Sequence, residues 1–151
     1  MAGPQEARTL ARERAMQVLY RADLTGERTV EAVRGWATER EGGDLAYFET
    51  LVDGVLSGWD VLGEIVSRCA QNWSLGRMAV VDRTILRIGA YELMHSRGIP
   101  ARVCLDEAVE LAKRYGDAQS YSFVNGVLDR VLREHANRPP EETQPRETLG
   151  A

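Results

Sequence analysis

The chain has 151 residues, of which 44% are hydrophobic and 28% charged, with a formal net charge of −4. That balance belongs to a globular domain with a sizeable core, and it excludes a protein that is basic all over, so any nucleic-acid site must be a local basic patch. No apolar run approaches the roughly 20 residues that span a bilayer, and the first residues, MAGPQEARTLARER, lack the apolar centre of a secretory signal. A cytoplasmic location with no membrane partner is expected.

The first predicted helix runs from Glu6 to about Leu24, with Ala11, Ala15, Val18, Leu19 and Ala22 on one apolar stripe. It is locally basic, through Arg8, Arg12, Arg14 and Arg21 against Glu13. Arg8 and Arg12 are four apart near the edge of that stripe, a spacing at which two guanidinium groups would reach adjacent phosphates. A second helix is expected over Thr29 to Arg40, and Gly42-Gly43 follows as a loop. Asp44 then caps a third, with Ala46, Tyr47, Leu51, Val55 and Leu56 facing inward. Gly54 and Gly58 mark either a bend before the helix at Trp59 to Ala70 or a close helix contact. From Glu39 to Glu64 the text is acidic, with seven carboxylates against Arg40.

Trp73 and Leu75 are expected to fold onto the core. Met78 to Met94 is apolar on most sides, as a central helix should be, yet it carries Asp82, Arg83, Arg87 and Glu92. Pro100 opens a further helix that Gly116 is expected to stop in the left-handed region. The last helix starts behind Asp117 or Ser120 and runs along a seam of Phe123, Val124, Val127, Leu128, Val131 and Leu132. Between the two lies a polar set, Gln119, Ser120, Tyr121 and Ser122, that reads as exposed. Glu110 is placed to pair with Arg114 four residues on. From Ala136 the sequence becomes NRPPEETQPRETLGA, polar and Pro-rich, with nothing to bury.

The expectation is therefore an all-α protein of six or seven helices, one domain over residues 1–135 and a disordered tail over 136–151. Cys69 and Cys104 sit in apolar patterns outside any CxxC and read as buried free thiols. His95 and His135 have no acidic or cysteine partner at metal-ligand spacing, and no glycine-rich phosphate loop or nucleophile elbow occurs. No catalytic residue, metal or cofactor is expected.

Five blocks in collinear order, ARERAMQVLYRADLTG, YFETLVDGV, DRTILRIGAYEL, IPARVCLDEAVELAKRYG and SYSFVNGVLDRV, resemble the NusB family of bacterial transcription antitermination factors over residues 6–134. The resemblance implies two three-helix bundles packed across each other. It implies a protein that binds single-stranded boxA RNA of nascent ribosomal transcripts with the ribosomal protein NusE, and promotes read-through within the RNA polymerase antitermination complex. Carried over by position, the RNA surface corresponds to Arg8, Arg12, Gln119, Ser120, Tyr121, Ser122 and Phe123. Phe123 is equally the first residue of an apolar seam. Family members carry a denser arginine cluster where Thr9 and Leu10 stand here, which points to weaker binding of RNA alone. For a basic ribosomal partner the chain offers Asp82 and Glu92 together with the acidic Glu39 to Glu64 region. A homodimer that covers the arginine-bearing helix is the competing use of the same surface.

Overall fold

The computed structural model describes residues 3–37 and 42–136. Among them the chain forms α1 (Pro4–Thr25), α2 (Val30–Gly35), α3 (Leu45–Ser57), α4 (Trp59–Cys69), a 3₁₀ turn over Leu75–Arg77, α5 (Val80–His95), α6 (Ala101–Tyr115) and α7 (Ser120–Glu134), with no strand. None of these helices is long and apolar enough to cross a membrane.

The helix ends follow from local chemistry. Pro4 starts α1, where its missing N–H costs nothing, and Gly26 ends it at φ 80°, donating to the Ala22 carbonyl at 2.9 Å. Asp44 caps α3 by accepting from the Tyr47 N–H at 2.9 Å. The expected second helix is shorter than its pattern: α2 closes at Gly35, and residues 38–41 lie outside the described region. The expected tail over 136–151 also falls outside it, apart from Ala136.

Helix α5 is the axis of the molecule, packed against α1, α3, α4, α6 and α7. On one side α1, α2 and α3 form a three-helix group. On the other, α6 and α7 complete a three-helix group with α5, and α4 leans on both α5 and α7. The two expected bundles therefore meet along α5. Leu86, Ile88, Ala90 and Leu93 are fully buried there, and Gly89 lets Leu128 of α7 approach so closely that an added Cβ would lie 2.5 Å from its side chain.

Both readings of the α3 glycines apply, one to each residue. Gly58 is where the chain bends between α3 and α4, whereas Gly54 is a close contact whose missing Cβ makes room for the ring of Tyr91. Gly116 corrects its expectation. Its backbone is extended (φ −91°, ψ −173°), not left-handed, and glycine is needed because a Cβ would overlap the Ser120 side chain. Trp73 is a second correction: the chain leaves α4 through Gln71 and Asn72 in left-handed conformations (φ 57° and 63°), and the indole emerges 54% exposed while Leu75 packs on the core. Cys69 and Cys104 are buried free thiols, as expected.

Candidate nucleic-acid interface

The turn between α6 and α7 is built from its own side chains. Ser120 is 1% exposed, which corrects its place in the exposed set. Its hydroxyl accepts from the Asp117 N–H at 3.0 Å, and Asp117 Oδ1 accepts from the Gln119 N–H at 2.8 Å. This small ring of bonds takes the place of a regular side-chain cap at the start of α7. It turns Gln119, Tyr121 and Ser122 outward, with Tyr121 46% exposed. Phe123 packs partly against the core, so of its two readings the scaffold role is visible.

Two cations stand beside this set that the sequence reading did not single out. Lys113 Nζ lies 5.6 Å from the centre of the Tyr121 ring, and Lys113 and Arg114 are both more than half exposed at the end of α6. Their signal was present as a basic pair in the last helical turn before a glycine. Arg114 does not pair with Glu110 as expected; it reaches across to Glu13 of α1 at 3.0 Å, and Glu110 meets Lys113 at 3.5 Å. Tyr115 also bonds Glu13, tying the end of α6 to α1.

Arg12 departs most from its expected role. It is 1% exposed, and its Nε lies 2.9 Å from both carboxylate oxygens of Glu92, while Nη1 reaches Glu107 at 3.3 Å. Tyr47 closes the cluster with hydrogen bonds to Glu92 and to Ser96. Burial opposes the guanidinium charge, but the field of Glu92, with Tyr47 and Glu107 behind it, more than offsets this and raises the Arg12 pKa. The Tyr47 phenol is likewise raised, by burial first and by Glu92 second. Arg12 is thus a bolt joining α1, α3, α5 and α6, with no surface to offer a phosphate. Glu92 is 0% exposed and is equally withdrawn from any partner face.

Arg8, one turn earlier, is half-buried and lies over the Tyr47 ring at 5.9 Å, at the edge of a hollow shared with His95, Ser96 and Ile99. That places it beside the start of α6, whereas Gln119 to Ser122 follow its end. Arg8 and the Gln119–Ser122 set thus stand at different ends of α6, with Glu13, five residues after Arg8, bonded to Arg114 and Tyr115 at the end nearer the turn.

Several carboxylates are already committed to arginines, while Asp60 and Glu64 of the acidic region are exposed. Asp23 holds Arg83 through two bonds of 2.7 and 2.9 Å, and Asp53 and Glu49 hold Arg34. Arg87 packs 3.8 Å over the Trp59 ring, and burial pushes its guanidinium down to about 10. Asp82 is only 9% exposed, in the first turn of α5, and its Oδ1 has no hydrogen-bond partner. Burial raises its carboxyl pKa, against the opposing pull of the Ser120 hydroxyl. Next to it Met16, Tyr20, Val80, Val81 and Tyr115 line an open, mainly apolar hollow.

A central helix α5, an arginine bolt at Arg12 and a polar turn before α7 are set on a sequence whose residues 9–133 match the family model described as NusB family. The chain belongs to the NusB family. It is 42% identical over 139 residues to the transcription antitermination protein NusB of Desulfitobacterium hafniense, covering 89% of this chain and 93% of that one. The same protein of Bacillus subtilis is 45% identical over 124 residues, covering 82% and 93%. Among solved structures, NusB of T. maritima superposes with a TM-score of 0.80 at 33% identity over 94% of this chain and 98% of that one. A chain from a crystal structure of the antitermination factors NusB and NusE in complex with double-stranded RNA gives 0.75 at 30% identity, covering 85% and 98%. As a member of this family the protein is a transcription antitermination factor and not an enzyme.

Proposed function

We propose that this protein binds single-stranded boxA RNA of nascent ribosomal transcripts together with the ribosomal protein NusE, and in that complex helps RNA polymerase read through terminators in the cytoplasm. The observation that carries the RNA reading is the exposed group at the α6–α7 turn: Tyr121 as a stacking platform, Gln119 and Ser122 as hydrogen-bonding groups, and Lys113 and Arg114 as cations within the same turn. Single-stranded RNA is recognised by this combination, since phosphates are held by cations and unstacked bases by aromatic faces and polar edges. Arg8 supplies a further phosphate contact from the far end of α6. Arg12, Ser120 and Phe123 support that surface from beneath it, which modifies the roles their positions suggested.

For NusE, the reading favours the hollow of Tyr20, Val81 and Tyr115; Asp82 follows Val81 in the chain, with its unpaired oxygen buried beneath the surface. A basic partner that brings one donor to Asp82 would relieve a buried acceptor and cover exposed aromatic surface in one step. A second copy of the chain is the competing occupant of this hollow.

The test is a titration of a labelled boxA oligonucleotide with the protein alone and with NusE. Binding in both cases, tighter with NusE and weakened by Tyr121→Ala, supports the proposal. No binding with NusE present overturns it. Tightening with a second copy of the chain in place of NusE would assign the hollow to a homodimer.

A further inference from the structure

The C-terminal ends of α4 and α7 meet, and they bring Cys69 to the consecutive pair Glu134 and His135, 65 residues further along the chain. One ligand atom of each, the Cys69 sulfur, a Glu134 oxygen and a His135 ring nitrogen, lies within 4.8 Å of the other two. We propose that these three side chains form a site for a borderline-soft divalent cation, zinc foremost, with water as the fourth ligand.

The donor set carries the choice of metal. Thiolate, imidazole and carboxylate together suit zinc, whereas magnesium and calcium prefer all-oxygen shells. Tetrahedral zinc, with bonds of about 2.0–2.3 Å, needs its ligand atoms roughly 3.4–3.7 Å apart, so closing the site asks for side-chain rotations of about an ångström. Glu134 is exposed and His135 half-exposed, which leaves room for such rotations. The competing contact is weak: Arg130 meets Glu134 at 3.3 Å in an exposed i, i+4 pair.

Two helix ends favour a cation here, against the opposing charge of Arg68, Arg130 and Arg133. α4 ends at Cys69 and α7 at Glu134, so two helix C-termini, each with a partial negative charge, converge on the site. An open groove lined by Cys69, Phe123, Gly126 and Arg130 gives the otherwise buried thiol a path to solvent. A Cβ on Gly126 would meet nothing within 4 Å, which shows how open that wall is. Burial and the nearby Glu134 hold the thiol above its ordinary pKa, while Arg68, Arg130 and Arg133 pull the other way. Metal binding takes the thiol as its thiolate, with release of the Cys69 proton.

The experiment uses the full chain with cobalt(II), whose thiolate charge-transfer absorption reports a Co–S bond, and zinc(II) as competitor. One equivalent of cobalt should give that band, and zinc should abolish it. Cys69→Ser should remove the band, while Cys104→Ala, which alters the other buried thiol, should leave it. His135→Ala and Glu134→Gln act at accessible positions where the fold tolerates change, which circular dichroism verifies. Each should weaken cobalt binding by on the order of tenfold or more, at least what losing an outer-shell partner costs. A protein that gives no thiolate band, a band that follows Cys104, or a cobalt affinity unchanged in both His135→Ala and Glu134→Gln would overturn the proposal.

Discussion

Two arginines one helical turn apart do opposite things. Arg8 remains partly open to solvent, while Arg12 is sealed in a cluster with Glu92, Glu107 and Tyr47. Removing one member of a buried ion pair strands the other charge, so Arg12→Ala should lower stability by about 3–5 kcal/mol in urea unfolding, with any loss of RNA binding following from loss of fold. Arg8→Ala should leave stability nearly unchanged and reduce the salt slope of RNA binding by about 0.7, the share of one phosphate on a single strand. The sequence placed both at the edge of an apolar stripe but had no means of separating them, because the carboxylate that decides the matter is 80 residues away. Ser120 is hidden from the sequence for a similar reason: it is buried where its hydroxyl meets Asp82 of α5, 38 residues earlier in the chain. Tyr121 was legible, since a large aromatic flanked by serines in the first turn of an amphipathic helix falls off the apolar seam. Tyr121→Ala should weaken RNA binding by about 1–3 kcal/mol with no change in unfolding. Asp82→Asn should at least preserve the stability of the free protein, because a group whose pKa is raised in the folded state costs stability once it ionises, while weakening the complex with NusE.

At the scale of elements, stability depends on how tightly neighbours press on α5. Gly54 of α3 faces the Tyr91 ring, so Gly54→Ala forces one of them to move and should destabilise by about 1–3 kcal/mol, despite the helix propensity that alanine adds. Periodicity is sufficient to find every long helix here, because each presents an apolar face repeated at i, i+3 and i+4, and the Asp44 cap is a local signal, whereas α1 starts at Pro4, ahead of the expected Glu6, in a stretch that reads as a frayed end. The bend near Gly58 is legible in the sequence, whereas the early end of α2 and the exit of Trp73 through left-handed Gln71 and Asn72 are not, since no proline or glycine marks Gln71 or Asn72. The Tyr47 phenol, which links α3 to α5, also gives the fold a pH limit. Its pKa is raised in the folded state, so the unfolded chain loses that proton near pH 10 while the folded one keeps it. Its contribution is complete below about pH 10 and is lost as the pH climbs further. Urea midpoints should fall between pH 9 and 11, and less steeply in Tyr47→Phe.

For the whole molecule, a net charge of −4 with Arg8 on one side and Lys113 and Arg114 at the α6–α7 turn means that, on the proposed reading, RNA would be held locally against a generally repulsive field. Contact with about three to five phosphates would give a log–log salt slope of roughly −2 to −4. Lys113 and Arg114 belong to that count, and each replaced by alanine should lower the slope by about the same 0.7 as Arg8. The most direct measurement is the salt-dependent affinity of a boxA oligonucleotide for the complex with NusE, compared between the unaltered chain and Tyr121→Ala. The account predicts tight binding, a slope in that range, and an affinity that falls with Tyr121→Ala while the slope stays constant. Binding that is absent with NusE present, or that is indifferent to both salt and Tyr121, would contradict it.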